Sequence, residues 1–344
     1  SRHLQLLRNS RKPPRQLQGS LRSHQRPQNR PALPLPPKNP AIKNQVAKHY
    51  DTIGTLDQWV RKKLKQLEER GAAEDTIIFF YSDHGTCLPG GKRYVGNKGQ
   101  RIPLIMYFPP KWEHLAPPGY TAGGKSDELV SFVDFAPTLL SLAGVKKPAW
   151  HHGRAFAGQH YEQPPSHLHG YTDRMGERTW LTRSVFDGRY VYIRNYRPDQ
   201  PHLIRTAYQY EETFLREWEA RFYSGELSEA EAKFWMPQGP EELYDLQTDP
   251  HELTNLINEP SLSEKANELR KAHLKWRDTH GDLAFLTEGV RREIRDKAGN
   301  KFSDWDLLQD PTHYPKKELL DVVDRASLGT PADLPKLLAD LDHK

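Results

Sequence analysis

The sequence predicts an α/β fold in two parts: helices laid on a mainly parallel sheet, then a smaller α+β region built on an antiparallel sheet. Three observations predict it. A helical period through Ile42, Val46, Tyr50, Ile53, Val60, Leu64 and Leu67 leads directly into Ile77-Ile78-Phe79-Phe80-Tyr81, an apolar run without polar alternation of the kind buried on both faces of a parallel sheet. A second such run, Leu104 to Phe108, follows Pro103, which is tolerated at the first position of a strand. Past Gly153 the texture alternates, and Trp180 to Phe186 and Tyr190 to Tyr196 flank Asp187-Gly188, a strong hairpin signal.

Composition bounds the rest. A chain of 344 residues is long enough for two domains with their own cores, while a 36% apolar content and a mean hydropathy of −0.84 call for a large polar surface or disordered ends. No apolar run reaches bilayer length, so no membrane span is expected. The single cysteine, Cys87, excludes an internal disulfide framework. Residues 1–50 hold eleven Lys or Arg and no acid, so the +5 of the whole chain leaves −6 on the remainder. The basic character belongs to the tail and gives no reason to expect a nucleic-acid partner, since no aromatic residue for base stacking occurs before Tyr50.

Taken in order, residues 1–40 form a basic Pro-rich tail that cannot bury enough apolar surface to offset its ordering entropy, and disorder is expected. Residues 41–70 are an amphipathic helix with Gly71 at its C-terminal stop. Thr76 onward is the strand, and an αβ unit results. Asp127 to Ala143 reads as a second amphipathic helix, interrupted by Pro137 and closed by Gly144. Asp134 within it reads as a structural carboxylate. The hairpin, a strand at Glu242 to Leu246 and a covering helix at Ser263 to Thr279 complete the smaller region. The aromatic stretch Arg205 to Trp235 reads as core cover, and Glu318 to Asp342 as two short helices. The domain reading is therefore 1–40 tail, 41–150 α/β domain, 151–290 α+β subdomain and 291–344 helical tail, the last offering one helix pair as the start of a helical repeat.

Chemistry concentrates at the end of the first strand. In an open α/β sheet ligands sit beyond the strand termini, which is where Asp83 and His84 fall. Gly85 turns the chain away, and Pro89-Gly90-Gly91 turns it back so that Lys92 returns to the same place. A carboxylate, an imidazole and an ammonium group meeting at one point suit a divalent metal with a bound anion. Further on, Asp173, Arg174 and Arg178 lie in a polar stretch ahead of the hairpin, where Arg can engage an anionic group bidentately.

The blocks DTIIFFYSDHG, Lys92, RIPLIMYFP, ELVSFVDFAPTLLSLAGV, DGRYVYIRNY and EELYDLQTDPHELTNL resemble, in unbroken order, the sulfatase family of the alkaline phosphatase-like superfamily. The later blocks are most similar to heparan N-sulfatase-like and related bacterial polysaccharide sulfatases. The resemblance implies the C-terminal portion of an alkaline phosphatase-like sandwich followed by the family's C-terminal subdomain. It also implies a calcium-dependent hydrolase of sulfate esters or sulfamates, with sulfated carbohydrate as substrate and a periplasmic or secreted location. Asp83 and His84 would be metal ligands, with His84 alternatively bonding the sulfate or the nucleophile, and Lys92, eleven residues before Pro103, would contact the sulfate in preference to Lys98. Arg174, Asp173 and Arg178 would read the sugar. The family's nucleophile is a formylglycine made in a C/S-x-P/A-x-R motif. These 344 residues contain none: Cys87 is followed by Leu88-Pro89-Gly90-Gly91. A sulfatase whose nucleophile lies outside these residues, a phosphate or phosphonate ester hydrolase of the same superfamily, and a non-catalytic binding module all remain open from the sequence.

Overall fold

The computed structural model describes residues 4–6, 40–298, 303–314, 316–329, 333 and 335. Two compact units divide the described residues: one within Ser1–Lys92, Lys98–Leu168 and Glu212–Glu231, the other within Arg93–Asn97, His169–Glu211 and Ala232–Lys344. The units interleave in sequence, unlike the contiguous segments that composition marks out.

The first unit holds a four-stranded sheet in the order β2-β3-β1-β4, made of β1 (Leu4–Leu6), β2 (Ile78–Tyr81), β3 (Leu104–Tyr107) and β4 (Lys125–Ser126). β1 runs parallel to β3, while β2 pairs with β3, and β4 with β1, in antiparallel register. The α/β class stands, but the apolar run is not a strand buried on both faces. β2 lies at the end of the described sheet, with Tyr81 exposed and the other three residues half-buried. A strand with a neighbour on one side only can be apolar throughout and still remain half open. Its inward side chain, Phe79, packs edge-on to Phe108 and Phe135 in a core of Leu104, Met106, Phe108, Leu115, Val130 and Phe156. Of the segment expected to be disordered, Leu4–Leu6 is a strand and Pro40 opens the first helix; the remainder lies outside the described residues.

Helix α1 (Pro40–Glu69) matches the predicted span, and Gly71 ends it with φ of 67° while its N–H bonds to the Glu68 carbonyl, as a left-handed C-terminal residue should. Its apolar face is less buried than the periodicity implies. Ile42 is buried, yet Tyr50, Ile53, Leu56 and Trp59 are exposed, because the main cover that the described residues give α1 is helix α3 (Thr213–Tyr223) and the turn Ala73–Asp75.

The helix expected from Asp127 starts later, as a 3-10 turn Phe132–Asp134 running into α2 (Phe135–Leu142). Pro137 does not kink it, since a third-position residue in the first turn has no intrahelical bond to lose. Asp134 is structural: Oδ2 accepts the Ser131 N–H and Oδ1 the Arg154 N–H. Burial raises its pKa against the pull of those two bonds. From the aromatic stretch, α3 buries Phe214 and Trp218 and leaves Tyr223 exposed.

The second unit carries the sheet β5-β6-β7-β8, formed by β5 (Leu168–Met175), β6 (Arg178–Phe186), β7 (Tyr190–Asn195) and β8 (Glu241–Asp245). β6, β7 and β8 are antiparallel neighbours. The Asp-Gly turn closes as predicted: Gly188 has φ of 104°, and Asp187 Oδ1 accepts the N–H groups of Arg189 and Tyr190. Alternation along β7 sends Val191 and Ile193 to one face with Val95, Tyr244 and Leu246, and Tyr192 to the other with Val185, Leu243 and Leu269 of α4 (Ser263–His280). Both faces are thereby covered. The stretch holding Asp173, Arg174 and Arg178, which sequence leaves without secondary structure, is the strand β5 and the start of β6.

Residues beyond Leu286 belong to this unit rather than to a separate tail. Helix α5 (Glu288–Ala298) and helix α6 (Lys316–Leu328) are joined to it by ion pairs, Glu288 to Arg174 and Asp324 to Arg277, and Leu307, Tyr314 and Leu320 are buried. The second of the two short helices expected in Glu318 to Asp342 lies largely outside the described residues. No helix of the described residues is long and apolar enough to cross a membrane.

Candidate active site

Strand β2 ends at Tyr81, and the next turn presents Asp83 and His84 together. The Ser82 hydroxyl donates to the His84 carbonyl at 2.6 Å, tightening the turn. His84 Nδ1 is 2.7 Å from the Gly85 carbonyl; a carbonyl only accepts, so Nδ1 carries the proton. The neutral ring then has its lone pair on Nε2, and Nε2 is the atom that lies 3.6 Å from Asp83 Oδ2. The Asp83 side chain is 83% exposed. The Asp83 carboxylate and His84 Nε2 thus lie side by side at the strand tip, as two metal ligands would.

The loop that follows folds back on this turn. Gly85 donates to the Gly99 carbonyl, and a Cβ here would lie 1.7 Å from the Lys98 carbonyl oxygen, so only glycine fits. Gly90 has φ of 79°, Gly91 N–H bonds to the Leu88 carbonyl, and Lys92 N–H bonds to the Thr86 carbonyl at 2.7 Å. The turn thus returns the Lys92 backbone to within one hydrogen bond of Thr86, three residues beyond Asp83. Sequence reasoning passed over His49, which reaches the same loop from α1. Its Nε2 is 3.3 Å from the Thr86 hydroxyl, and burial lowers its pKa. A histidine on a helix offers no spacing signal that would have found it.

Asp173, Arg174 and Arg178 lie in the second unit, each engaged there. Asp173 pairs with buried Arg183 at 2.6 Å. Arg174 pairs with Glu288 and donates to the Gly176 carbonyl. Arg178 Nε donates to the Arg205 carbonyl. The five residues after Lys92 are anchored in that unit too. Tyr94 donates to the His202 carbonyl and sits edge-on to Trp180, Val95 enters the core, and Asn97 bonds Pro250 and Glu252.

Calcium takes six to eight oxygen ligands, and among the described residues no group of three or more His, Cys, Asp or Glu side chains is placed to hold a metal. Asp83 and His84 fit as part of such a set. They are not the whole of it.

The sulfatase family model matches residues 9–145, and the model of the N-sulphoglucosamine sulphohydrolase C-terminal region matches residues 90–204. An ulvan-active sulfatase of Formosa agariphila is 38% identical over 279 residues, covering 81% of this chain and 45% of that protein. Human N-sulphoglucosamine sulphohydrolase is 27% identical, covering 75% and 52%. The crystal structure of yidJ from Bacteroides fragilis shares the fold, with a TM-score of 0.52 at 19% identity over 79% of this chain and 51% of that one. The chain belongs to the sulfatase family of the alkaline phosphatase-like superfamily. It spans about half the length of the curated relatives it matches.

Proposed function

We propose that this chain is the C-terminal part of a sulfatase that hydrolyses sulfate esters or sulfamates of a sulfated carbohydrate outside the cytoplasm. Asp83 and His84 supply part of the calcium site, and Lys92 is the cation for the sulfate. The supporting observation is the β2 tip, where the exposed Asp83 carboxylate lies 3.6 Å from His84 Nε2 and the Pro89-Gly90-Gly91 turn ties the Lys92 backbone to Thr86. The choice of carbohydrate follows the names of the relatives, an ulvan-active sulfatase and an N-sulphoglucosamine sulphohydrolase.

Sulfate hydrolysis builds negative charge on the leaving oxygen while the non-bridging oxygens stay charged. A fixed ammonium at Lys92 offsets that charge without reorganising. Calcium, when bound, adds Lewis-acid polarisation of the sulfate oxygens. Asp83 is the harder, oxygen donor and the stronger ligand of the pair. His84, held by its Nδ1 bond to Gly85, has Nε2 to offer either to the metal or in a hydrogen bond to the sulfate or the nucleophile. The formylglycine nucleophile would come from outside these 344 residues. The missing motif favours one second reading, a binding module without turnover.

Purified Ser1 to Lys344 is expected to release no sulfate from a sulfated saccharide and to bind calcium weakly, with a Kd on the order of 1 mM. Asp83→Ala should weaken calcium binding at least about tenfold by calorimetry, the loss of one charged ligand. Lys92→Ala should reduce sulfate affinity far more than Lys98→Ala. Calcium affinity unchanged in Asp83→Ala would refute the metal assignment, and sulfate release by the purified chain would refute the need for an outside nucleophile.

A further inference from the structure

We propose that the second unit carries a subsite for an anionic saccharide, formed by Arg93, Arg178 and Arg205 along the 205–210 stretch, with the exposed ring of Tyr208 beside Arg93. The inference deepens the carbohydrate-sulfatase reading and rests on it for the chemical class of the ligand.

The cations of this unit are, as a rule, spent on carboxylates. Arg174 pairs with Glu288, Arg183 with Asp282, Arg189 with Asp245, Arg197 with Asp199, Arg270 with Glu241 and Arg277 with Asp324. Arg93, Arg178 and Arg205 have no carboxylate ion-pair partner among the described residues, and all three meet on one short stretch of chain. Arg93 Nη1 donates to the Thr206 hydroxyl at 3.0 Å, and its guanidinium lies 5.1 Å from the Tyr208 ring centroid. Arg178 uses Nε on the Arg205 carbonyl at 3.0 Å. Arg205 stacks on Tyr210 at 4.5 Å. Glu177 also reaches this stretch, its Oε1 accepting the Ala207 N–H at 2.7 Å.

Two further features separate this patch from an ordinary solvated face. Arg93 has φ of 84°, a left-handed conformation that costs a non-glycine residue about 1–3 kcal/mol and persists where surroundings over-determine it. Here its carbonyl accepts the Thr172 hydroxyl at 2.8 Å, and Tyr94 next to it is wedged against Trp180 and His202. The strained backbone aims the guanidinium across the Tyr208 ring; its Nε is buried, so its terminal nitrogens are the ones a ligand would reach. Tyr208 itself is 60% exposed and offers an apolar ring face. Planar guanidinium groups with unspent donors match the oxygens of sulfate or carboxylate bidentately, and an exposed aromatic ring beside them supplies the flat surface against which a sugar ring packs. Arg93 and Arg205 form the recognition pair, and Arg178 holds the Arg205 loop while adding charge.

The test is calorimetric titration of purified Ser1 to Lys344 with a heparin-derived tetrasaccharide and with its fully desulfated form. Binding of the sulfated form alone is expected, weakening as salt is raised. Arg93→Asn removes the guanidinium while keeping a residue that tolerates positive φ, and should weaken binding about tenfold, the worth of one charge-assisted hydrogen bond. Arg205→Gln and Tyr208→Ala, both at exposed positions where folding is not at stake, should each weaken it about fivefold to tenfold. Arg292→Gln, an exposed cation elsewhere, should change nothing. Absence of binding, equal binding of the desulfated sugar, or variants that bind as well as the parent would each overturn the subsite. Failure of the parent reading looks different, because calcium and sulfate would then be indifferent to Asp83 and Lys92 while the tetrasaccharide still bound and still responded to Arg93→Asn.

Discussion

In the first unit, Tyr50, Ile53, Leu56 and Trp59 on α1, and Tyr81, Phe132, Val133 and Leu139 near β2 and α2, are exposed. In the second, even charged side chains are buried with their partners. Arg183 forms a two-pronged bond to Asp282, Asn195 donates to Glu242, and Tyr196 lies between Arg277 and His273. An amphipathic pattern is a capacity for burial, which is realised only when another element arrives to use it. Around the second unit's sheet those elements are present among the described residues, in α4 on one face and the Val95 segment on the other. The first unit keeps contiguous apolar faces of the kind that mark docking surfaces, and the relatives carry about as much chain again.

That contrast can be broken at several points. The largest effect is expected from Arg183→Ala, which leaves Asp282 buried without its cation and should cost about 3–5 kcal/mol in urea unfolding. Retained stability would mean that the second unit does not depend on its buried pairs. Next comes pH. His273 is buried, its Nε2 lies 2.9 Å from the Tyr196 hydroxyl, and Arg277 (itself paired with Asp324), Arg194 and Arg183 oppose a further charge. Burial, followed by those cations, pushes its pKa down to about 3. Between the ordinary histidine value of 6.5 and that value the unfolded chain binds a proton that the folded chain refuses. Stability should therefore be full above pH 6.5 and fall steadily as pH drops toward 3. His273→Asn should flatten that slope in denaturation midpoints taken at several pH values, whatever it costs at neutral pH. The smallest effect belongs to the exposed faces. Trp59→Lys and Leu139→Lys should each change stability by no more than about 0.5 kcal/mol and should reduce self-association in light scattering.

Much of the fold was legible because its signals are local. The 3.6-residue period and Gly71 marked α1, Asp187-Gly188 marked the hairpin, and Ser263 onward marked α4. The segment before the hairpin was not, because its polar residues that pair with Arg183, Glu288 and Arg205 read as loop until those distant partners are known. The candidate site divides in the same way. Asp83, His84 and the glycine turn were readable as a strand tip and a return. That Nδ1 of His84 is held by Gly85, and that Arg93 rather than Arg174 carries unspent donors, depended on which groups their neighbours satisfy.

The order of the residues by itself determined the αβ unit, the turn that brings Lys92 back, the hairpin and the sulfatase kinship, since each rests on contacts a few residues apart or on blocks that stand in sequence. Only the tertiary structure decided that β2 is half open and antiparallel to β3, that the helices after Leu286 join the second unit, and that Arg93–Asn97 is drawn into its core. Those outcomes depend on which distant surface wins an apolar face or a charge, and a free-energy competition between remote partners leaves no local period to read.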